Sequence, residues 1–166
     1  MVRMFIAHSS KDEWLINPIS SNLKLIPVEP YLAKLEDPTP CPLPQKFNDA
    51  IKSSVAMFVF LTPNVAENKD TRDVVNWEIA TAHAMGKPIY VFRENGVEVP
   101  LMVNYITTYF TYDPLDQRTL DEMVSRVQEI ASAFKENEDK AKAAFTVIAL
   151  ILGGILFFGA LSGDSR

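Results

Sequence analysis

Val55-Ala56-Met57-Phe58-Val59-Phe60-Leu61 is seven residues long and contains no polar side chain. A run of that length, rich in β-branched and aromatic residues, predicts a strand buried on both faces, as found in a parallel sheet covered by helices. The segments around it agree. Upstream, Met4-Phe5-Ile6-Ala7 is a second apolar run, and Pro27–Leu32 is a weaker strand flanked by proline. Downstream, Ile89–Phe92 is a third buried run, and Ile106–Thr111 alternates like an edge strand.

Helical patterns separate these strands. Ser10 followed by Glu13 has the form of a capping box and opens a helix at Lys11-Asp12, which Pro18 interrupts and restarts. Phe47, Ala50 and Ile51 put a helix over Gln45–Ser53. After a loop at Thr62–Arg72 a helix spans about Asp73–Met85, stopped by Gly86 and Pro88. Leu120, Val124, Val127 and Ile130 mark one face of a helix over Leu115–Phe134. Glu36–Pro44, with four prolines in nine residues, reads as an exposed loop. The alternation predicts an α/β fold with five parallel strands and helices on both faces, its ligand site at the carboxyl ends of the strands.

The 166 residues suit one domain, and the apolar fraction of 48% is unevenly spread. Ala143–Gly163 carries no charge and includes Gly153, Gly154 and Gly159, which are costly in a water-soluble helix and common in membrane spans. Its 21 residues make a helix of about 31 Å, matching a hydrocarbon core of roughly 30 Å. Lys135, Lys140 and Lys142 precede it, against Arg166 after it. The expectation is a domain over residues 1–134, a charged linker over 135–142 and a single transmembrane helix over 143–163. The positive-inside rule then holds the domain on the cytoplasmic side of the cell membrane. The formal net charge of −5 and the scattered basic residues argue against nucleic-acid binding. A lone Cys41 excludes an internal disulfide, and no metal-ligand spacing accompanies it. Neither a G-x-G-x-x-G nor a P-loop motif occurs, so no resident cofactor is implied.

Two segments carry candidate chemistry. His8-Ser9-Ser10-Lys11-Asp12 follows the first strand and reads either as a helix cap or as a polar site, where His8, Ser9, Ser10 and backbone N–H groups meet a phosphate or ribose. In the second, Asn76–Pro88, Val75, Ile79 and Ala82 form the core stripe, and Glu78 lies on the strip beside it in the first or second helical turn. Glu78 is either a solvated helix residue or a carboxylate that stabilises or attacks a ribosyl cation. Trp77 is core or a stacking wall for a base, and His83 a helix-surface residue.

Together these segments resemble the TIR (Toll/interleukin-receptor) domain family. Phe5–Asp12 is similar to that family's F-I-S-H-S-S-K-D opening, with Ala7 in place of the usual Ser. Phe60-Leu61-Thr62-Pro63-Asn64 resembles its third strand and following turn. Glu78–Ala82 with Gly86-Lys87-Pro88-Ile89 resembles its glutamate helix and next strand. Two positions depart: Val74 stands where an aromatic residue is usual, and the proline-rich Glu36–Pro44 where the loop usually has a glycine. The resemblance implies a flavodoxin-like fold over about Met1–Phe134, with Glu78 catalytic. Many microbial members hydrolyse NAD at the nicotinamide–ribose bond or cyclise the ADP-ribose product in antiviral defence or cell suicide. Other members are non-catalytic adaptors that assemble with partner TIR domains. The resemblance thus implies NAD as substrate and homo-oligomers of TIR domains. Trp77-Glu78-Ile79-Ala80 and Ala84–Pro88 also resemble the nucleoside deoxyribosyltransferases, whose nucleophilic glutamate opens a similar helix.

Overall fold

A computed structural model of the chain describes residues 2–26, 28–32, 43–98, 101 and 103–137. Most of the proline-rich loop, the charged linker beyond Asn137 and the apolar segment Ala143–Gly163 lie outside the described residues. Among the described residues, no helix is long and apolar enough to cross a membrane.

Five parallel strands form one sheet: β1 (Val2–Ala7), β2 (Val28–Leu32), β3 (Ala56–Leu61), β4 (Ile89–Glu94) and β5 (Thr108–Tyr112), in the order β2-β1-β3-β4-β5. This is the flavodoxin-like order, with its switch point between β1 and β3. Registers of Met4 with Ala56, Met57 with Ile89 and Tyr90 with Thr108 align the strands, so their carboxyl ends share one edge.

Side chains alternate across the sheet. Met4, Ile6, Phe58, Phe60, Tyr90 and Phe92 face one layer, where α1 (Glu13–Leu25) contributes Leu15, Ile16, Ile19 and Leu23 and α5 (Gln117–Glu136) contributes Met123, Val127 and Ile130. Phe5, Ala7, Met57, Val59 and Val91 face the other, covered by Ala50 and Ile51 of α2 (Leu43–Ser53), Val65 of α3 (Pro63–Ala66) and Val75, Ile79 and Ala82 of α4 (Lys69–Ala84). The central strand β3 is buried at every position, as its uninterrupted apolar run requires.

Three local expectations need correction. The helix after β1 opens as a three-residue 3-10 turn, Ser10–Asp12, capped by Ser9 rather than Ser10; the Ser9 Oγ accepts from the Lys11 N–H at 3.3 Å. Pro18 does not divide α1, which runs through it. The missing N–H leaves the Trp14 carbonyl without its helical donor, at a cost of about 3 kcal/mol. Four buried apolar side chains on the opposite side of the helix outweigh that loss, at roughly 1.5–3 kcal/mol each, and the proline ring itself is exposed.

The third correction moves a helix start. α4 begins at Lys69, four residues before Asp73, because the Asn68 side chain accepts from the Thr71 N–H at 3.0 Å and Lys69 pairs with Asp73 at 2.6 Å one turn on. Its other end is as the sequence predicts. Gly86 has φ 66°, its N–H reaches the His83 carbonyl at 2.9 Å, and the Lys87 N–H reaches that of Ala82 at 2.9 Å. This is a Schellman stop, which favours glycine at the left-handed position.

Candidate active site

Glu78 is the tenth residue of α4, so it lies in the third turn and not in the first or second. Nor is it a solvated helix residue, being only 2% exposed. The core stripe of α4 is Val75, Ile79 and Ala82. At 100° per residue, Glu78 falls about 60° to one side of Val75 and Trp77 a further 100° round the same side. The Trp77 ring packs against Phe47 of α2 at 6.4 Å with a 48° tilt. That contact identifies the shared flank as the one facing α2. Glu78 therefore sits in the seam between α4, α2 and the sheet.

The height of Glu78 also follows from the helix. α4 descends antiparallel to the strands, and helical side chains lean toward the helix N-terminus. The carboxyl group is thereby tilted toward the carboxyl edge of the sheet, where ligands bind in this fold. Among the described residues, nothing donates a hydrogen bond to it and no cation pairs with it. Burial alone pushes its pKa up to about 8, against an ordinary value of 4.5. Such a group is protonated at neutral pH, and a positive charge placed beside it would draw the proton off. Trp77, 37% exposed, is not a core residue.

The other sequence-predicted residues gather at the end of β1. One His8 ring nitrogen, Nδ1, lies 3.2 Å from the Ile6 carbonyl and donates to it in the tautomer that carries the proton there. Ser9 is buried and committed to its cap, while Ser10 is exposed. Glu78 projects from the opposite layer of the sheet. His83, on the far flank of α4, stacks on Tyr105 at 4.2 Å and 8°.

The sequence reading missed a buried polar cluster at the same edge. Asp12, 1% exposed, accepts from Thr62 Oγ1 and from Asn64 Nδ2, both at 2.6 Å. These bonds tie the loop after β1 to the turn after β3, across the switch point. Glu94 at the end of β4 has its carboxyl pushed up by burial and by Asp12 and Asp113, and Tyr112, opposite it in register, is pushed up by burial, Glu94 and Asp12. Among the described residues no three His, Cys, Asp or Glu side chains converge as a metal site.

The comparisons agree with the fold. Neither a family model nor a curated protein matches the chain. A CMP N-glycosidase from Clostridium botulinum is similar in structure, with a TM-score of 0.53 and 20% identity over 76% of this chain and 98% of that one. A diflavin flavoprotein A3 from Nostoc has a TM-score of 0.54 and 9% identity over 79% of this chain and 89% of that one. A flavodiiron core from Synechocystis has a TM-score of 0.55 and 13% identity over 82% of this chain but 36% of that one. At such identities the likeness shows a flavodoxin-like α/β fold, one shared by a nucleotide-cleaving enzyme and by flavoproteins.

Proposed function

We propose that this chain cleaves an N-glycosidic bond of a nucleotide, with Glu78 as the central carboxylate and NAD as the substrate. The observation that carries the reading is the Glu78 side chain itself: buried, without a partner among the described residues, tilted toward the ligand edge of the fold and flanked by a partly exposed Trp77. Perturbed carboxyls of this kind mark functional sites, because isolated burial costs stability that a folded protein otherwise avoids. The resemblance to TIR domains supports NAD, and the structural likeness to a CMP N-glycosidase is compatible with glycosidic chemistry on a nucleotide.

The chemistry fits the group. In NAD the bond from ribose C1′ to the pyridinium nitrogen breaks, its electron pair leaving with neutral nicotinamide and the positive charge passing to the ribosyl carbon. A carboxylate beside C1′ stabilises that cation, and water then adds to it, releasing a proton and ADP-ribose. Attack by a ring nitrogen of the adenine instead gives the cyclic product. The substrate's own positive charge brings Glu78 to its ionised form. Trp77 borders the base, and His8, Ser9 and Ser10 meet the nucleotide's polar groups at the end of β1.

Two other readings have specific support. Cleavage of a neutral base, as in the named activity of the CMP N-glycosidase, would use protonated Glu78 as an acid. A non-catalytic adaptor would use the same surface to assemble with other TIR domains. Incubating the protein with NAD and, separately, with CMP, and quantifying free nicotinamide and cytosine, distinguishes all three. We further propose that Ala143–Gly163 anchors the domain to the cell membrane, with the N-terminal domain on the cytoplasmic side in a defence pathway.

A further inference from the structure

In open α/β sheets of this strand order, the crevice between the carboxyl ends of β1 and β3 receives the ligand. Backbone N–H groups at the start of the following helix draw a phosphate there. Here that place is filled from within. The carboxylate of Asp12 is buried in it and accepts from two side-chain donors, Thr62 Oγ1 and Asn64 Nδ2, at 2.6 Å each. Two backbone donors of the turn are also used: the Asp12 N–H goes to the Ser9 carbonyl at 3.0 Å and the Lys11 N–H to the Ser9 Oγ at 3.3 Å. Burial raises the pKa of Glu94 and Tyr112, at the ends of β4 and β5, and the Asp12 charge adds to both shifts. An incoming phosphate would meet a desolvated charge of its own sign.

We propose that Asp12 is a specificity-determining residue whose carboxylate stands in for a ligand phosphate at the switch point and bars phosphate monoesters, including flavin mononucleotide, from that crevice. The inference is independent of Glu78, which lies on the opposite face of the sheet. It separates this chain from the flavoproteins that share its fold.

The test uses the full chain as wild type, Asp12→Asn and Asp12→Ser, titrated with inorganic phosphate and with flavin mononucleotide at constant ionic strength. Asp12→Asn is nearly isosteric and keeps an acceptor for Thr62, so it preserves the fold if Asp12→Ser does not. Binding is read from melting temperature and from quenching of flavin fluorescence. The expected result is no binding of either probe to wild type and a gain in one or both variants of at least about tenfold in affinity for both probes. Three results overturn the proposal: phosphate or the flavin binding to wild type, folded variants that gain neither, or a gain for the flavin without one for phosphate. The last would mean that the ring system, not the phosphate, had been excluded.

Discussion

The Thr62 hydroxyl donates to the Asp12 carboxylate at 2.6 Å, joining two residues fifty positions apart in a buried contact at the strand ends. The bond links the first and third crossovers of the fold at the carboxyl edge of the sheet.

Removing the Thr62 donor leaves a buried charge with one fewer partner. Thr62→Val is expected to cost about 1.5–3 kcal/mol, the range for a hydrogen bond to a charged group. Urea unfolding of Thr62→Val, Asp12→Ala and the double variant measures the coupling directly. Additive losses in the cycle would mean the two side chains do not depend on each other.

The stop of α4 makes a second prediction. Gly86 sits at φ 66°, where a Cβ meets nothing within 4 Å but the backbone conformation itself is strained for any other residue. Gly86→Ala should therefore cost about 1–2 kcal/mol from the left-handed backbone alone. Gly86→Asn should recover part of that, since asparagine tolerates this region. Equal melting temperatures for glycine and alanine would contradict the assignment.

Much of this was legible in the sequence, and the boundary has physical causes. Val55–Leu61 and the Leu120–Ile130 stripe predict a buried strand and an amphipathic helix because periodicity is local. The Gly86-Lys87-Pro88 stop is also written in adjacent residues. The Asp12, Thr62 and Asn64 cluster was not legible, because pairing across fifty positions depends on which strand ends meet. The start of α4 was hidden by Lys69–Arg72, a polar stretch without an apolar stripe, whose helix rests on the Asn68 cap and the Lys69–Asp73 pair. Pro18 misled because its local penalty is real but smaller than the burial on the other side of α1. Glu78 was picked out by sequence, but its burial was not, since a residue at the border of a helix stripe is buried only when a neighbouring helix closes over it.

That burial gives the stability a defined pH dependence. The folded-state carboxyl titrates at about 8 and the unfolded one near 4.5. Between those values the unfolded chain binds fewer protons, so stability falls as pH rises from about 4.5 to 8 and is level on either side. Glu78→Gln abolishes the titration. Its unfolding free energy should exceed that of wild type by a margin that widens from pH 5 to pH 8.5, reaching the order of a few kcal/mol. A constant difference across that range would mean that Glu78 ionises normally in the folded protein.

The anchor is tested separately from the chemistry. A chain ending at Asn137 keeps all five strands and α5 through Glu136. It should fold and partition into the soluble fraction, whereas the full chain should remain with membranes through alkaline carbonate extraction. Aggregation of the shortened chain would place Ala143–Gly163 in the core instead.

The central claim is that ionised Glu78 stabilises the ribosyl cation. The most direct measurement is the pH profile of kcat/KM for nicotinamide release from NAD by wild type and Glu78→Gln, with melting temperatures taken on the same preparations. The account predicts a wild-type rate that rises with pH to a limb near 8, as the free enzyme's carboxyl loses its proton. It predicts a Glu78→Gln protein that is folded, no less stable, and slower by about two to three orders of magnitude, the usual cost of losing one such electrostatic contribution. Undiminished cleavage by Glu78→Gln, or no cleavage of NAD by folded wild type, would contradict it.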